Sequence, residues 1–269
     1  MELRAIAERI ALALPPVVAE VVLTGSVSRG VDDELSDIEM LLVTTEPLQL
    51  EECFEHARAL GLDQLDTWGV QGRPSSKVFG YLDGVPIELI WWPREHAEAS
   101  FESAGDALVN GVALRSSGLL EKWQARLAEY PDELAVQRIE EAALTWGGYA
   151  PAGMLTVARP GERMALVERM VDDLSRVLRI LYAVNRVWPP THKRLAARLA
   201  ELAVKPERLA ERVEEALTEP DPIRALTTMT ELQRETVALA PSGPNIDRAR
   251  RWLAEVAQVL RATSAESRP

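Results

Sequence analysis

Asp37 and Glu39 stand two residues apart with Ile38 between them, inside the run Ser36-Asp-Ile-Glu-Met40. The apolar stretch that continues to Val43 reads as a strand. Side chains alternate across a strand, so both carboxylates project from one face while Ile38 points to the core. Ten residues separate Asp37 from Ser26, which belongs to Val22-Leu-Thr-Gly-Ser-Val-Ser-Arg-Gly30. There a second buried strand breaks at Gly25-Ser26, whose small side chains let backbone amides approach a phosphate where a short helix begins. Paired carboxylates beside a phosphate-binding turn can hold Mg²⁺ against a nucleoside triphosphate, because hard cations take oxygen ligands and share them with phosphates. Arg29 is placed to meet the triphosphate, with a plain surface arginine as the other reading. Taken singly, Gly25-Ser26 is any strand-to-loop turn, and Asp37 and Glu39 are a solvated strand face. It is their occurrence together, in order and in strand context, that points to chemistry. Asp32, Asp33 and Glu34 read as a solvated loop.

The elements that must carry these residues follow from periodicity. Leu3 to Leu14 has helical spacing and stops before Pro15-Pro16. Val17 to Thr24 and Ile38 to Val43 read as strands, Glu51 to Leu60 as a helix ending at Gly61, and Leu65 to Val70 as a weaker strand. Lys77 to Leu82 and Val85 to Trp92 flank Asp83-Gly84, a two-residue turn that predicts a tight hairpin. Of Trp91 and Trp92, one must face the core and the other the opposite side. Beyond about residue 104 the strand signal stops. Leu119–Tyr130, Asp132–Trp146, Glu162–Val187, Lys193–Val204, Pro206–Leu217, Pro222–Leu239 and Ile246–Leu260 all show helical spacing, with prolines between them, several at first-turn positions. The expectation is an α+β protein: a mixed-sheet domain over residues 1–104, a helical bundle over 105–262, and a disordered tail over 263–269.

Composition narrows the function. All of the net charge of −12 falls within the first 104 residues, where 19 acidic side chains meet 7 basic ones; the remainder is balanced. That distribution argues against a nucleic-acid surface, which needs clustered Lys and Arg, and favours cationic partners, either metal ions or a positively charged substrate. The single cysteine, Cys53, excludes an internal disulfide and a cysteine-built metal site. His56, His96 and His192 are too scattered for a histidine site. The sequence shows neither an 18-residue apolar run nor a basic-then-apolar leader, so a soluble cytoplasmic protein without a membrane partner is expected.

These residues resemble the nucleotidyltransferase superfamily, which has the DNA polymerase beta-like fold. The pattern is an apolar residue before Gly-Ser (Leu23, then Gly25-Ser26), an acidic-apolar-acidic triplet on the next strand (Asp37-Ile38-Glu39), and a third acid between apolar neighbours on a later strand (Ile87-Glu88-Leu89). The likeness covers roughly residues 20 to 92. Ser36–Met40 is most similar to the kanamycin and aminoglycoside nucleotidyltransferase branch, which has Glu at the second metal position. Leu181–Lys193 is similar to helical-domain sequence attached to uncharacterised members.

The resemblance implies that a substrate hydroxyl attacks the α-phosphorus of an NTP and expels pyrophosphate. It assigns Asp37, Glu39 and Glu88 to two Mg²⁺ ions, and Gly25, Ser26, Arg29 and Lys193 to the nucleotide. The family's helical-domain base corresponds to the stretch Ile139–Gly148. Leu144 and Gly148 fall where the base and a phosphate-binding lysine would stand, so Glu140 or Glu141 substitutes, or Glu88 serves as base. Arg176, Arg179, Arg186, Lys193, Arg194 and Arg198 concentrate basic charge near Trp188-Pro189-Pro190, for a triphosphate or, in the more ordinary reading, for ion pairs between helices. The expected acceptor is a small hydroxylated cation of the aminoglycoside type. The alternatives are a tRNA end or protein hydroxyl, as in toxin-type members, and a non-catalytic nucleotide-binding module. A homodimer is expected by analogy.

Overall fold

Helix α1 (Leu3–Ala13) buries Ile6, Ala7, Ile10 and Ala11, the stripe that its apolar spacing requires. In the computed structural model, residues 2–67, 75–191 and 193–266 are described. The β-branched run after Pro15-Pro16 forms β1 (Val18–Thr24), followed by a four-residue helix, α2 (Gly25–Ser28), and by β2 (Ile38–Thr44). Helix α3 (Leu50–Ala59) leads to β3 (Asp63–Thr67), then β4 (Ser76–Leu82) and β5 (Val85–Pro93). Asp83 and Gly84 both have positive φ, 53° and 82°, as the tight turn between β4 and β5 demands. Of the strand expected over Leu65–Val70, residues 68–70 lie outside the described residues.

Helices α4 (Arg94–Ser100) and α5 (Gly105–Val109) then lead to β6 (Val112–Arg115) and α6 (Leu119–Leu127). The described strands form one mixed sheet in the order β3-β4-β5-β2-β1-β6. Only β2 and β5 run parallel, Glu39 lying opposite Glu88; every other pairing is antiparallel. The parallel pair is possible because α3, β3 and β4 supply the long crossover that such a pair needs.

β6 corrects the expectation that strands end near residue 104. It pairs with β1, opposite Val21, Val22 and Leu23. Its four half-buried residues show no alternation, so the sequence carries no strand signal there. Two side chains fasten this region to the sheet. The Arg115 guanidinium donates to the carbonyls of Ala11, Leu14, Pro15 and Val18 at 2.6, 2.9, 3.1 and 2.8 Å. The fully buried carboxylate of Glu20 accepts from Ser117 N and Oγ at 2.6 and 2.8 Å, and from the amides of Leu119 and Leu120 at 3.4 Å. It thereby satisfies the open amides where α6 begins. The chain accordingly divides into compact units of residues 1–129 and 130–269, rather than near residue 104.

The second unit is helical: α7 (Asp132–Ala143), a 3-10 segment (Pro151–Ala158), α8 (Arg163–Val184), α9 (Leu195–Ala200), α10 (Leu209–Thr218), α11 (Pro222–Leu239) and α12 (Pro244–Glu266). Pro222 opens α11 at its first turn, where Asp221 caps the amides of Ile223 and Arg224 at 2.8 and 3.2 Å. α12 runs through Glu266, so residues 263–266 are helix where a disordered tail was expected; residues 267–269 lie outside the described residues. Each unit has its own apolar core. No helix among the described residues is long and apolar enough to cross a membrane.

Candidate active site

Gly25 stands at the end of β1 with φ of +72°, a conformation that favours glycine. A Cβ built there would lie 2.9 Å from Oε2 and 3.0 Å from Cδ of Glu39. The Glu39 carboxylate therefore packs over the bare backbone of the Gly25-Ser26 turn. Strand pairing enforces this closeness, because Thr24 and Glu39 are register partners and Thr24 Oγ1 donates to the Glu39 carbonyl at 3.3 Å. The Gly25-Ser26 turn and Glu39, two motifs separated in sequence, are thus adjacent in the fold.

Asp37 reaches the start of β2 through a folded loop. Asp33 Oδ1 accepts from the Leu35 amide at 3.1 Å and from Ser36 Oγ at 2.9 Å, and Ser36 Oγ in turn accepts from the Asp33 amide at 2.9 Å. Asp33, read as a solvated loop residue, thus shapes the turn. Arg29, half-buried at the end of α2, donates its backbone N–H to the Val27 carbonyl, and its guanidinium has no hydrogen-bond or salt-bridge partner among the described residues.

Glu88 sits beside Glu39 across the β2–β5 pair. Its carboxylate forms an ion pair with Nζ of Lys77, which projects from β4. The Glu88 side chain is only 14% exposed and that of Lys77 38%. The sequence reading missed Lys77, yet the Asp83-Gly84 turn contains the signal. It places Leu82 opposite Val85 and hence Phe79 opposite Glu88 and Lys77 opposite Ile90, so Lys77, Phe79 and Glu88 share a face. The same alternation sends Trp91 into the core and leaves Trp92 half-buried on the other side. His56 stacks on Trp91 with centroids 5.7 Å apart, and His96 meets Trp92 edge-on at 5.2 Å.

The remaining candidates lie in the second unit. Glu140 Oε2 accepts from the Asn245 amide at 2.7 Å and Oε1 from the Ile246 amide at 3.3 Å, so this carboxylate caps the first turn of α12. Glu141 is exposed and accepts from Gln137 Nε2 at 2.7 Å. Lys193 is exposed in the turn before α9. Much of the basic cluster forms ion pairs: Arg176 with Asp172 at 2.5 Å, Arg186 with Asp132 at 2.6 Å, and Arg198 with Glu201 at 3.3 Å.

Asp37 and Glu39 are hard oxygen donors at strand spacing, and the bare backbone at Gly25 leaves the Glu39 carboxylate room. This donor set fits a magnesium ion that arrives on a nucleotide and keeps phosphate and water ligands. The expected three-carboxylate set fits less well, since Glu88 is engaged by Lys77. Among the described residues, no group of three or more His, Cys, Asp or Glu side chains is arranged to hold a metal ion.

A domain of unknown function (DUF4037) matches residues 106–195, which begin in the first unit and end in the second. No curated protein matches the sequence. Among solved structures, a nucleotidyltransferase-like protein from Exiguobacterium sibiricum is similar at 12% identity, over 97% of this chain and 74% of that one, with a TM-score of 0.30.

Proposed function

We propose that the protein is a nucleotidyltransferase that moves a nucleoside monophosphate from an NTP to a hydroxyl of a small cationic acceptor. The observation that carries this reading is the packing of the Glu39 carboxylate over Gly25, which joins one acid of the pair to the Gly-Ser turn. In the proposed reaction the acceptor oxygen bonds to the α-phosphorus, the bond from that phosphorus to the β-phosphate oxygen breaks, and pyrophosphate leaves. Magnesium carried by the nucleotide supplies neutralisation of phosphate charge. Asp37 and Glu39 hold the nucleotide through that ion, while Gly25, Ser26 and Arg29 line the turn that receives the phosphates. Positioning of this kind accounts for most of the catalysis in phosphoryl transfer. Glu140 is committed to α12, and Glu88, beside Glu39 in the first unit, is the carboxylate this reading assigns to accept the hydroxyl proton.

The acceptor class follows from charge. The first unit, residues 1–129, holds 22 acidic and 10 basic side chains, so the whole −12 stays with it under the observed boundary. A field of that sign attracts polycations such as aminoglycosides and repels RNA. The test is pyrophosphate release with Mg²⁺, each NTP, and a panel of aminoglycosides, bulk tRNA and protein. Turnover with aminoglycosides that falls at least about 100-fold in Asp37→Asn supports the proposal, a loss of the size expected when charge stabilisation is removed. Transfer to tRNA or protein replaces the acceptor class, and NTP binding without turnover makes the chain a binding module.

A further inference from the structure

Glu39 and Glu88 are register partners on a parallel pair whose strands lie about 4.8 Å apart. Two like charges in directly opposite positions destabilise a sheet unless a cation sits with them. Two divalent ions would supply that charge, but a lysine already does so here. Lys77 Nζ pairs with Glu88 Oε1 and stands 5.9 Å from the centroid of the Phe79 ring. The backbone beneath it is fastened by Thr67 Oγ1, which donates to the Lys77 carbonyl at 2.7 Å. Magnesium sheds its waters reluctantly and keeps several when bound. A carboxylate 14% exposed and already in contact with an ammonium offers little room for such an ion.

We infer that the site takes one divalent ion rather than two: Asp37 and Glu39 carry it with the nucleotide, and Lys77 gives Glu88 the positive charge that a second ion would bring. This rests on the nucleotidyltransferase reading. Lys77 is then a positioning residue, acting on the site through Glu88.

The test counts ions. Mn²⁺ bound per chain is measured by electron paramagnetic resonance on the full chain, saturated with a non-hydrolysable NTP analogue. One ion per wild-type chain is expected. Lys77→Met removes the ammonium and raises the count to two, while Lys77→Met combined with Glu88→Gln returns it to one. Lys122→Met, which removes the exposed partner of Glu98, leaves it at one. Two ions in the wild-type complex overturn the inference and leave the nucleotidyltransferase reading intact, as does a count of one in a folded Lys77→Met chain. Failure of the wild-type chain to bind the nucleotide with any ion overturns both. The wild-type count decides the matter even where the Met variant does not fold.

Discussion

The carboxylate of Glu39 occupies the space into which any side chain at residue 25 would grow. Replacement of Gly25 by Ala therefore costs twice, once for a Cβ at φ +72° and once for displacement of Glu39. The left-handed conformation alone is worth about 1–2 kcal/mol. Gly25→Ala should lower the unfolding free energy by that much and weaken nucleotide binding by more than Ser26→Ala does. Equal binding in the two variants, read by calorimetric titration of an NTP analogue, would show that Glu39 needs no such clearance.

Glu20 is a buried charge whose partners are the amides of Leu119 and Leu120 and both donors of Ser117. Glu20→Gln puts an N–H group among donors and leaves at least one unsatisfied. A loss of about 1–3 kcal/mol is expected from that desolvation penalty. Urea denaturation should report it as a lower midpoint with unchanged slope, and the anchoring of α6 should loosen in amide hydrogen exchange.

Glu140 and Glu141 are neighbours in sequence with different partners. Glu140→Ala uncaps α12 and should cost about 1 kcal/mol of stability, whereas Glu141→Ala should stay within about 0.5 kcal/mol of wild type. Turnover by Glu140→Ala, measured well below its melting temperature, should remain close to wild type. A drop of about 100-fold without unfolding would make Glu140 a catalytic group after all.

Cys53 is fully buried, and burial pushes its thiol up to about 11 against a hydrogen bond from Ser76 that acts the other way. The folded chain thus holds this proton more tightly than the unfolded chain, whose value is near 9.0. This stabilisation is fully present below pH 9 and is lost as pH rises toward 11. Wild type should lose more stability than Cys53→Ala between pH 8.5 and 10.5 in parallel denaturant titrations. A thiol-specific disulfide reagent at pH 8 should label the folded chain far more slowly than the unfolded one.

Local rules singled out the candidate site. Alternation singled out Asp37 and Glu39 as a pair, the Gly-Ser break marked the end of β1, and Asp83-Gly84 announced the hairpin that carries Glu88. The register of that hairpin also contained Lys77, because a two-residue turn fixes which residues lie opposite. What local rules do not encode is commitment of a side chain to a distant partner. Glu140 looks as available as Glu141 until α12 is seen to begin at its carboxylate.

The order of acidic and small residues, the excess of negative charge near the first strands and the helical character of the later chain were therefore set by residue type and spacing alone. The position of β6, the boundary after Glu129 and the cap at Glu140 came only with folding. Periodicity reports which face of an element is apolar, whereas hydrogen bonds and ion pairs between residues far apart in the chain depend on where the backbone brings them.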